Sequence, residues 1–112
     1  MELRSEIKRG VLVISVCENR IDAAAALQFK DGMRRATQSA PDRVILDLSE
    51  VNFVDSSGLG AIVGVMKQLA PDRTLEIACL SATVAKVFAL TRMDKIFTLH
   101  GDLDDAFAEA RA

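Results

Sequence analysis

The residues best suited to chemistry lie in one short segment, Asp55-Ser56-Ser57-Gly58. Asp, Ser and Gly are also the ordinary residues of a helix N-terminus, where the side chain of Asp55 or Ser56 would cap free backbone N–H groups. A phosphate on a serine here would be tolerated, because the free N–H groups and the positive end of the helix dipole favour negative charge. The segment therefore predicts either a structural cap or a serine that can be phosphorylated without melting its own helix.

The glycines around Leu59 allow close approach. Gly58 and Gly60 remove side chains from the first turn of the predicted helix. A partner's backbone or active site could come close there, or the helix could pack tightly against a neighbouring element of the chain. The two interpretations are compatible, and both stay open on the sequence alone.

Other classes of catalytic or metal site are missing from the sequence. No Cys or acidic neighbour gives the one histidine, His100, metal-ligand spacing. There is no nucleophile elbow, Walker loop or HExxH motif, and Gly58-Leu59-Gly60 is too short for a dinucleotide fingerprint. We therefore expect a binding module with no enzymatic activity, no cofactor and no metal. An enzyme that uses Asp55 or Asp22 is the weaker alternative.

Composition favours one domain over residues 1–112 and argues against nucleic acid as a partner. The chain has 112 residues, of which 50% are hydrophobic, and this suits a single core. Its net charge is −2 and its Lys and Arg residues are scattered, so a basic surface is missing. Cys17 and Cys79 lie in apolar runs and are predicted to be buried, reduced thiols. Without a signal peptide or an apolar run of ~20 residues, we expect a soluble, cytoplasmic protein with no membrane partner.

Periodicity predicts the elements that position the 55–58 segment. Residues 2–8 alternate apolar and charged side chains, which predicts a half-solvated strand, and the apolar run Val11–Cys17 predicts a second strand paired with it as a hairpin. Helices between the later strands favour parallel pairing. The later strands are expected at Val44–Leu48, Thr74–Leu80 and Ile96–Leu99, and the helices at Ala23–Ser39, Ser57–Leu69, Thr83–Leu90 and after Asp102.

The predicted fold is α/β, a mixed sheet of four to five strands covered by about four helices, in the order β-β-α-β-α-β-α-β-α. Each helix is expected to bury one face. Gly32 costs the first helix about 1 kcal/mol relative to Ala, which close packing would explain. The residues predicted to be buried include Ala26, Phe29, Met33 and Ala36, then Leu59, Ile62, Val63, Met66 and Leu69, and finally Leu103, Ala106, Phe107 and Ala110.

Residues Val44–Gly60 resemble the signature of the STAS-domain anti-sigma factor antagonists, which are bacterial signalling proteins. In that family a strand and a hydrophobic lead-in precede a D-S-[ST]-G-L-G turn. Arg20-Ile21-Asp22 is similar to the family's G-E-[LI]-D motif, and Leu80–Phe88 is similar to its L-S-x-x-V-x-x-[LI]-[FL] segment. The resemblance covers nearly the whole chain and implies a STAS-like fold.

The resemblance also implies a partner switch controlled by phosphorylation. In the family, the unphosphorylated protein binds an anti-sigma factor that is also a GHKL-type serine kinase, and this binding releases the sigma factor. The kinase phosphorylates the serine directly after the motif aspartate, and a serine phosphatase reverses the modification. On this chain the phosphoacceptor would be Ser56, with Ser57 as a minor alternative. The partner-binding residues would be Arg20, Asp22, Asp55, Ser56, Ser57, Gly58, Leu59 and Gly60.

The sequence departs from the family pattern just before Asp22. The family usually has Gly and Glu where this chain has Asn19 and Arg20. Arg20 brings a positive charge that could pair with a phosphate on Ser56 or alter the choice of partner. Another alternative is a STAS subunit of a transport or stress-signalling assembly, in which Ser56 stays unmodified. We expect a monomer, because the solvated face of the first strand offers no obvious dimer patch.

Overall fold

A computed structural model describes residues 1–109 of the chain. The strands are β1 (Leu3–Lys8), β2 (Val11–Val16), β3 (Arg20–Ile21), β4 (Arg43–Asp47), β5 (Phe53–Val54), β6 (Thr74–Ala78) and β7 (Leu99–His100). The helices are α1 (Ala26–Ala36), α2 (Ser56–Leu69), α3 (Ala82–Leu90) and α4 (Leu103–Glu109), with a 3₁₀ turn at Met93–Lys95. The predicted α/β class is confirmed, and the short strands β3 and β5 are added to the predicted order.

Five strands form one mixed sheet in the order β1-β2-β4-β6-β7. Strand β1 pairs antiparallel with β2 as the predicted hairpin, and the other neighbours in this sheet pair in parallel. Parallel neighbours need a crossover connection, which α1 provides between β2 and β4 and α2 provides between β4 and β6. Strands β3 and β5 pair with each other in a separate two-stranded ladder.

The five-stranded sheet is covered on both faces. Helices α1, α2 and α3 contribute to the larger hydrophobic core, and α4 covers a smaller one. Alternation along β2 divides its side chains between the two cores: Leu12, Ile14 and Val16 join the larger, and Val11 and Val13 join the smaller. This double burial explains why the second strand is apolar at every position except Ser15.

Packing explains a glycine that the sequence left without a reason. A Cβ built on Gly32 of α1 would lie 2.8 Å from Leu3 Cδ1, so this glycine gives the Leu3 side chain room to pack against the helix. In α2 the buried face differs from the prediction at several positions, and Ala61 is buried although it was not predicted to be. Val65 is 1% exposed and belongs to the core, whereas Val63 and Met66 are only half-buried.

Some element boundaries were predicted wrongly. Helix α1 lies about one turn inside both predicted ends, and the final strand is Leu99–His100, at the end of the predicted segment Ile96–Leu99. In α4, Ala106 and Phe107 are buried as expected, while Ala110 lies outside the described residues.

None of the helices within residues 1–109 has both the length and the apolar composition needed to cross a membrane.

An ionic cluster lies beside α4 and joins it to the sheet. The Arg43 guanidinium donates to both carboxylate oxygens of Glu76, at 2.5 and 2.7 Å, and to the Ala106 carbonyl at 2.7 Å. His100 Nε2 lies 2.6 Å from Glu76 Oε1. Burial alone would raise the pKa of Glu76, but the hydrogen bonds from Arg43 and His100 outweigh it and hold that pKa below its usual range.

Replacing Glu76 by Gln is expected to lower the free energy of unfolding at pH 7 by about 2 kcal/mol, since the largely buried Arg43 guanidinium loses its charge-assisted hydrogen bonds to the carboxylate. Because the pKa of Glu76 is lowered in the folded state, its contribution is complete above the unfolded pKa and is lost as pH falls through the folded one. The difference between the two proteins should therefore shrink below about pH 4. Urea unfolding across pH measures this, with Glu6→Gln on exposed β1 as control. A difference that does not change with pH would contradict the assignment.

Candidate functional site

The β3–β5 ladder brings the two halves of the predicted site together. Arg20 pairs in register with Phe53, and Ile21 pairs with Val54, so the chain segments before Asp22 and before Asp55 run side by side. Ile21 is 0% exposed and Val54 is 4% exposed, and both enter the core. Because side chains alternate along a strand, Arg20 and Phe53 lie on the outer face of the ladder.

Asp55 is the cap of α2 and also fastens the second loop to it. Its backbone is extended, and its Oδ1 accepts a hydrogen bond from the Gly58 N–H at 2.9 Å. Its Oδ2 accepts another from the Ala23 N–H, at 3.1 Å. One carboxylate therefore holds the helix start and the loop after β3 in a fixed relation, which decides between Asp55 and Ser56 as the cap.

Ser56 and Ser57 are the first two residues of α2, and both are exposed. Within residues 1–109, no side-chain hydrogen bond uses either hydroxyl. The hydroxyls are therefore accessible from solvent at the end of the helix where backbone N–H groups are free and the dipole is positive. A phosphoryl group could be added to either serine without displacing a core side chain.

The two glycines of the turn differ in their surroundings. A Cβ on Gly58 would lie 2.1 Å from the carbonyl oxygen of Ile21 and 2.9 Å from its carbon, so the helix packs directly against the β3 backbone. Gly60 is exposed, and a Cβ there would meet no atom within 4 Å. Between them, Leu59 is 8% exposed and joins the larger core. Gly58 and Leu59 thus contribute packing, and Gly60 leaves open surface.

Arg20 and Asp22 form a charged pair beside the turn. The Arg20 guanidinium carbon lies 4.8 Å from the centre of the Phe53 ring, and Arg20 Nε lies 3.4 Å from Asp22 Oδ2. The other oxygen of Asp22 accepts a hydrogen bond from the Ala25 N–H at 3.2 Å, which stabilises the turn before α1. Phe53 is 40% exposed. It was missing from the predicted site, because a two-residue strand has no periodicity to reveal it.

The other candidates for chemistry lie away from this surface. His100 is held in the cluster with Glu76 and Arg43. Cys17 and Cys79 are free thiols, half-buried rather than fully buried. Burial raises the pKa of the Cys79 thiol to about 11, so it is protonated at neutral pH. Among residues 1–109, no three His, Cys, Asp or Glu side chains are grouped so as to hold a metal ion.

Comparisons with known proteins identify the family of the chain. A sequence model of the STAS domain matches residues 2–106. The anti-sigma-F factor antagonist of Mycobacterium tuberculosis is 24% identical over 102 residues, which are 91% of this chain and 83% of that protein. These matches confirm the resemblance that the sequence motif predicts.

Solved structures give the same result. An anti-sigma factor antagonist from Mycobacterium paratuberculosis is 27% identical with a TM-score of 0.87, over 99% of this chain and 94% of that one. The anti-sigma factor antagonist SpoIIAA in its unphosphorylated form is 25% identical with a TM-score of 0.75, over 98% and 96%. SpoIIAA of Bacillus in its phosphorylated form is 24% identical with a TM-score of 0.68, over 97% and 99%.

Proposed function

The chain belongs to the STAS domain family, and from this premise we propose that it is an anti-sigma factor antagonist that works by partner switching. The unmodified protein binds an anti-sigma factor that is also a GHKL-type serine kinase, and the sigma factor is released. Phosphorylation of Ser56 ends this binding, and a serine phosphatase restores it. The protein acts as a monomer in the cytoplasm and has no catalytic activity of its own.

One observation carries the proposal. Ser56 is exposed as the first residue of α2, directly after the Asp55 cap, in the turn that resembles the antagonist signature. Relatives named as anti-sigma factor antagonists support the function, and SpoIIAA exists in unphosphorylated and phosphorylated forms. Both hydroxyls are exposed, so exposure does not distinguish the two serines. The choice of Ser56 over Ser57 rests on the resemblance to the family motif.

Local physics supports a switch that leaves the fold intact. A phosphate adds about −1.5 to −2 charges and three acceptor oxygens at a helix end that favours anions. The Asp55 carboxylate already satisfies the Gly58 N–H, so the cap does not depend on the Ser56 hydroxyl. Phosphorylation therefore changes the surface offered to a partner more than the shape of the domain.

Mapping the phosphate tests this function. Incubation of the protein with ATP and its anti-sigma kinase is expected to add one phosphate to Ser56, identified by mass spectrometry of the digested protein. Ser56→Ala should abolish incorporation and Ser57→Ala should keep most of it, because the neighbouring hydroxyl is not the acceptor. A kinase that leaves Ser56 unmodified would favour a STAS subunit of a transport or stress-signalling assembly instead.

A further inference from the structure

On the outer face of the β3–β5 ladder, the cation Arg20 lies beside the acidic residues that precede Ser56. Arg20 and Phe53 are level in the register, and continuing the two strands by one residue past Ile21 and Val54 puts Asp22 level with Asp55. The side chain of Arg20 extends along this face from the level of Phe53 toward the level of Asp22 and Asp55, since its Nε lies 3.4 Å from Asp22 Oδ2. Ser56 follows Asp55 directly.

The pair between Arg20 and Asp22 is easily exchanged. The side chain of Arg20 is 57% exposed and that of Asp22 is 25% exposed, and their separation of 3.4 Å is long for a charge-assisted hydrogen bond. Exposed ion pairs of this kind contribute little to the stability of the fold, because water and salt screen the attraction between the two charges. The contact with the Phe53 ring, whose centre lies 4.8 Å from the guanidinium carbon, is a second attraction that keeps Arg20 near the ladder when it leaves Asp22.

A phosphate on Ser56 would enter a surface that already carries two carboxylates, Asp22 and Asp55. It is a stronger acceptor than a carboxylate, and its oxygens match the fork of a guanidinium. We propose that Arg20 exchanges Asp22 for the phosphate on Ser56 and is the internal receptor of the modification. This inference rests on the proposed choice of Ser56 as the phosphoacceptor.

The exchange has a consequence for recognition. In the unmodified protein, a partner contacts Arg20 paired with Asp22. In the modified protein, it contacts a phosphate bound to Arg20 and, beside it, an Asp22 that no longer has a cation. Phosphorylation thus alters the charge pattern on both loops at once, although only one residue is modified.

A ³¹P NMR titration of protein carrying genetically encoded phosphoserine at position 56 tests the exchange without any kinase. The second ionisation of free phosphoserine lies near pH 6. A cation bound to the phosphate favours its dianion, so Arg20→Gln is expected to raise the proton affinity of the phosphate about threefold at low ionic strength. Arg20→Lys, which keeps the charge without the fork, should give an intermediate value.

Arg34→Gln is the matched control, because Arg34 is 53% exposed and lies 3.6 Å from Asp31 on α1. It should leave the titration unchanged, and amide spectra of each variant report that the domain is folded. Equal titration midpoints for the parent and Arg20→Gln proteins would overturn the proposal. Since no kinase takes part, this outcome is separate from a failure of the proposed function, which the mapping of the phosphate detects.

Discussion

Phosphoserine at position 56 is expected to weaken binding of the anti-sigma kinase by a factor of about 10² to 10³. The phosphate joins Asp22 and Asp55 on this surface, so even when Arg20 binds the phosphate at least one negative charge has no cation partner. An unpaired charge buried at an interface costs about 3–5 kcal/mol, and each 1.4 kcal/mol corresponds to a tenfold change in affinity. The exposed first turn of α2 is the surface that this charge would occupy. Isothermal titration calorimetry of the kinase with modified and unmodified protein measures the change.

Two variants separate charge from the loss of the hydroxyl. Ser56→Ala should bind the kinase as the parent does, because the hydroxyl makes no side-chain hydrogen bond within residues 1–109. Ser56→Asp should bind weakly, since it introduces a negative charge at the same place. Equal weakening by both variants would mean that the hydroxyl itself is required, which contradicts a switch by charge.

Replacing Gly58 by Ala is expected to destabilise the protein by at least about 3 kcal/mol, more than ordinary overpacking costs. The added Cβ would meet the Ile21 carbonyl oxygen at 2.1 Å, and a backbone atom of a paired strand cannot move as a side chain can. Relief requires α2 to separate from β3, which would break the Asp55 contact to Ala23. At about 4–8 °C per kcal/mol for a domain of this size, the melting temperature should fall by more than about 12 °C.

Gly60→Ala is the matched control, because Gly60 lies two residues further along the same helix. Its Cβ would meet nothing within 4 Å, and Ala is favoured over Gly in a helix by about 1 kcal/mol. The two substitutions should therefore change stability in opposite directions, as calorimetric melting would measure. Similar melting temperatures for the two variants would contradict the close packing of α2 on β3.

The strands and helices of the main sheet could be predicted because their burial leaves a period in the sequence. The alternation of residues 2–8 indicates β1, although the strand is more exposed than predicted, with Leu3 half-buried and residues 4–8 exposed. Val11–Val16 is apolar except for Ser15, because β2 is buried on both faces. The apolar stripes indicate where the helices lie, although the predicted first helix extends about one turn beyond both ends of α1.

The candidate site was only partly predictable. The sequence indicates Asp55, Ser56 and Gly58, but Asp and Ser are equally good caps. The structure decides for Asp55, whose backbone is extended and whose Oδ1 accepts the Gly58 N–H. The β3–β5 ladder has two residues in each strand, which is too short for any periodic signal. The role of Phe53 beneath Arg20 follows from that ladder and could not be read from the sequence.

The sequence also treats Gly58 and Gly60 as one motif, although the fold gives them different environments. Gly58 is required by a carbonyl group that lies far from it along the chain, and Gly60 faces open space. Such differences arise from tertiary contacts, so a local pattern of residues cannot contain them.

A phosphate on Ser56 is proposed to switch binding off, and a titration with three forms of the protein measures this effect. The anti-sigma kinase is titrated with unmodified protein, with protein carrying phosphoserine at position 56, and with protein carrying phosphoserine at position 39, an exposed serine beyond the far end of α1. The unmodified and position-39 proteins should bind alike, and the position-56 protein about 10² to 10³ more weakly. Equal affinity of all three would contradict a switch at Ser56.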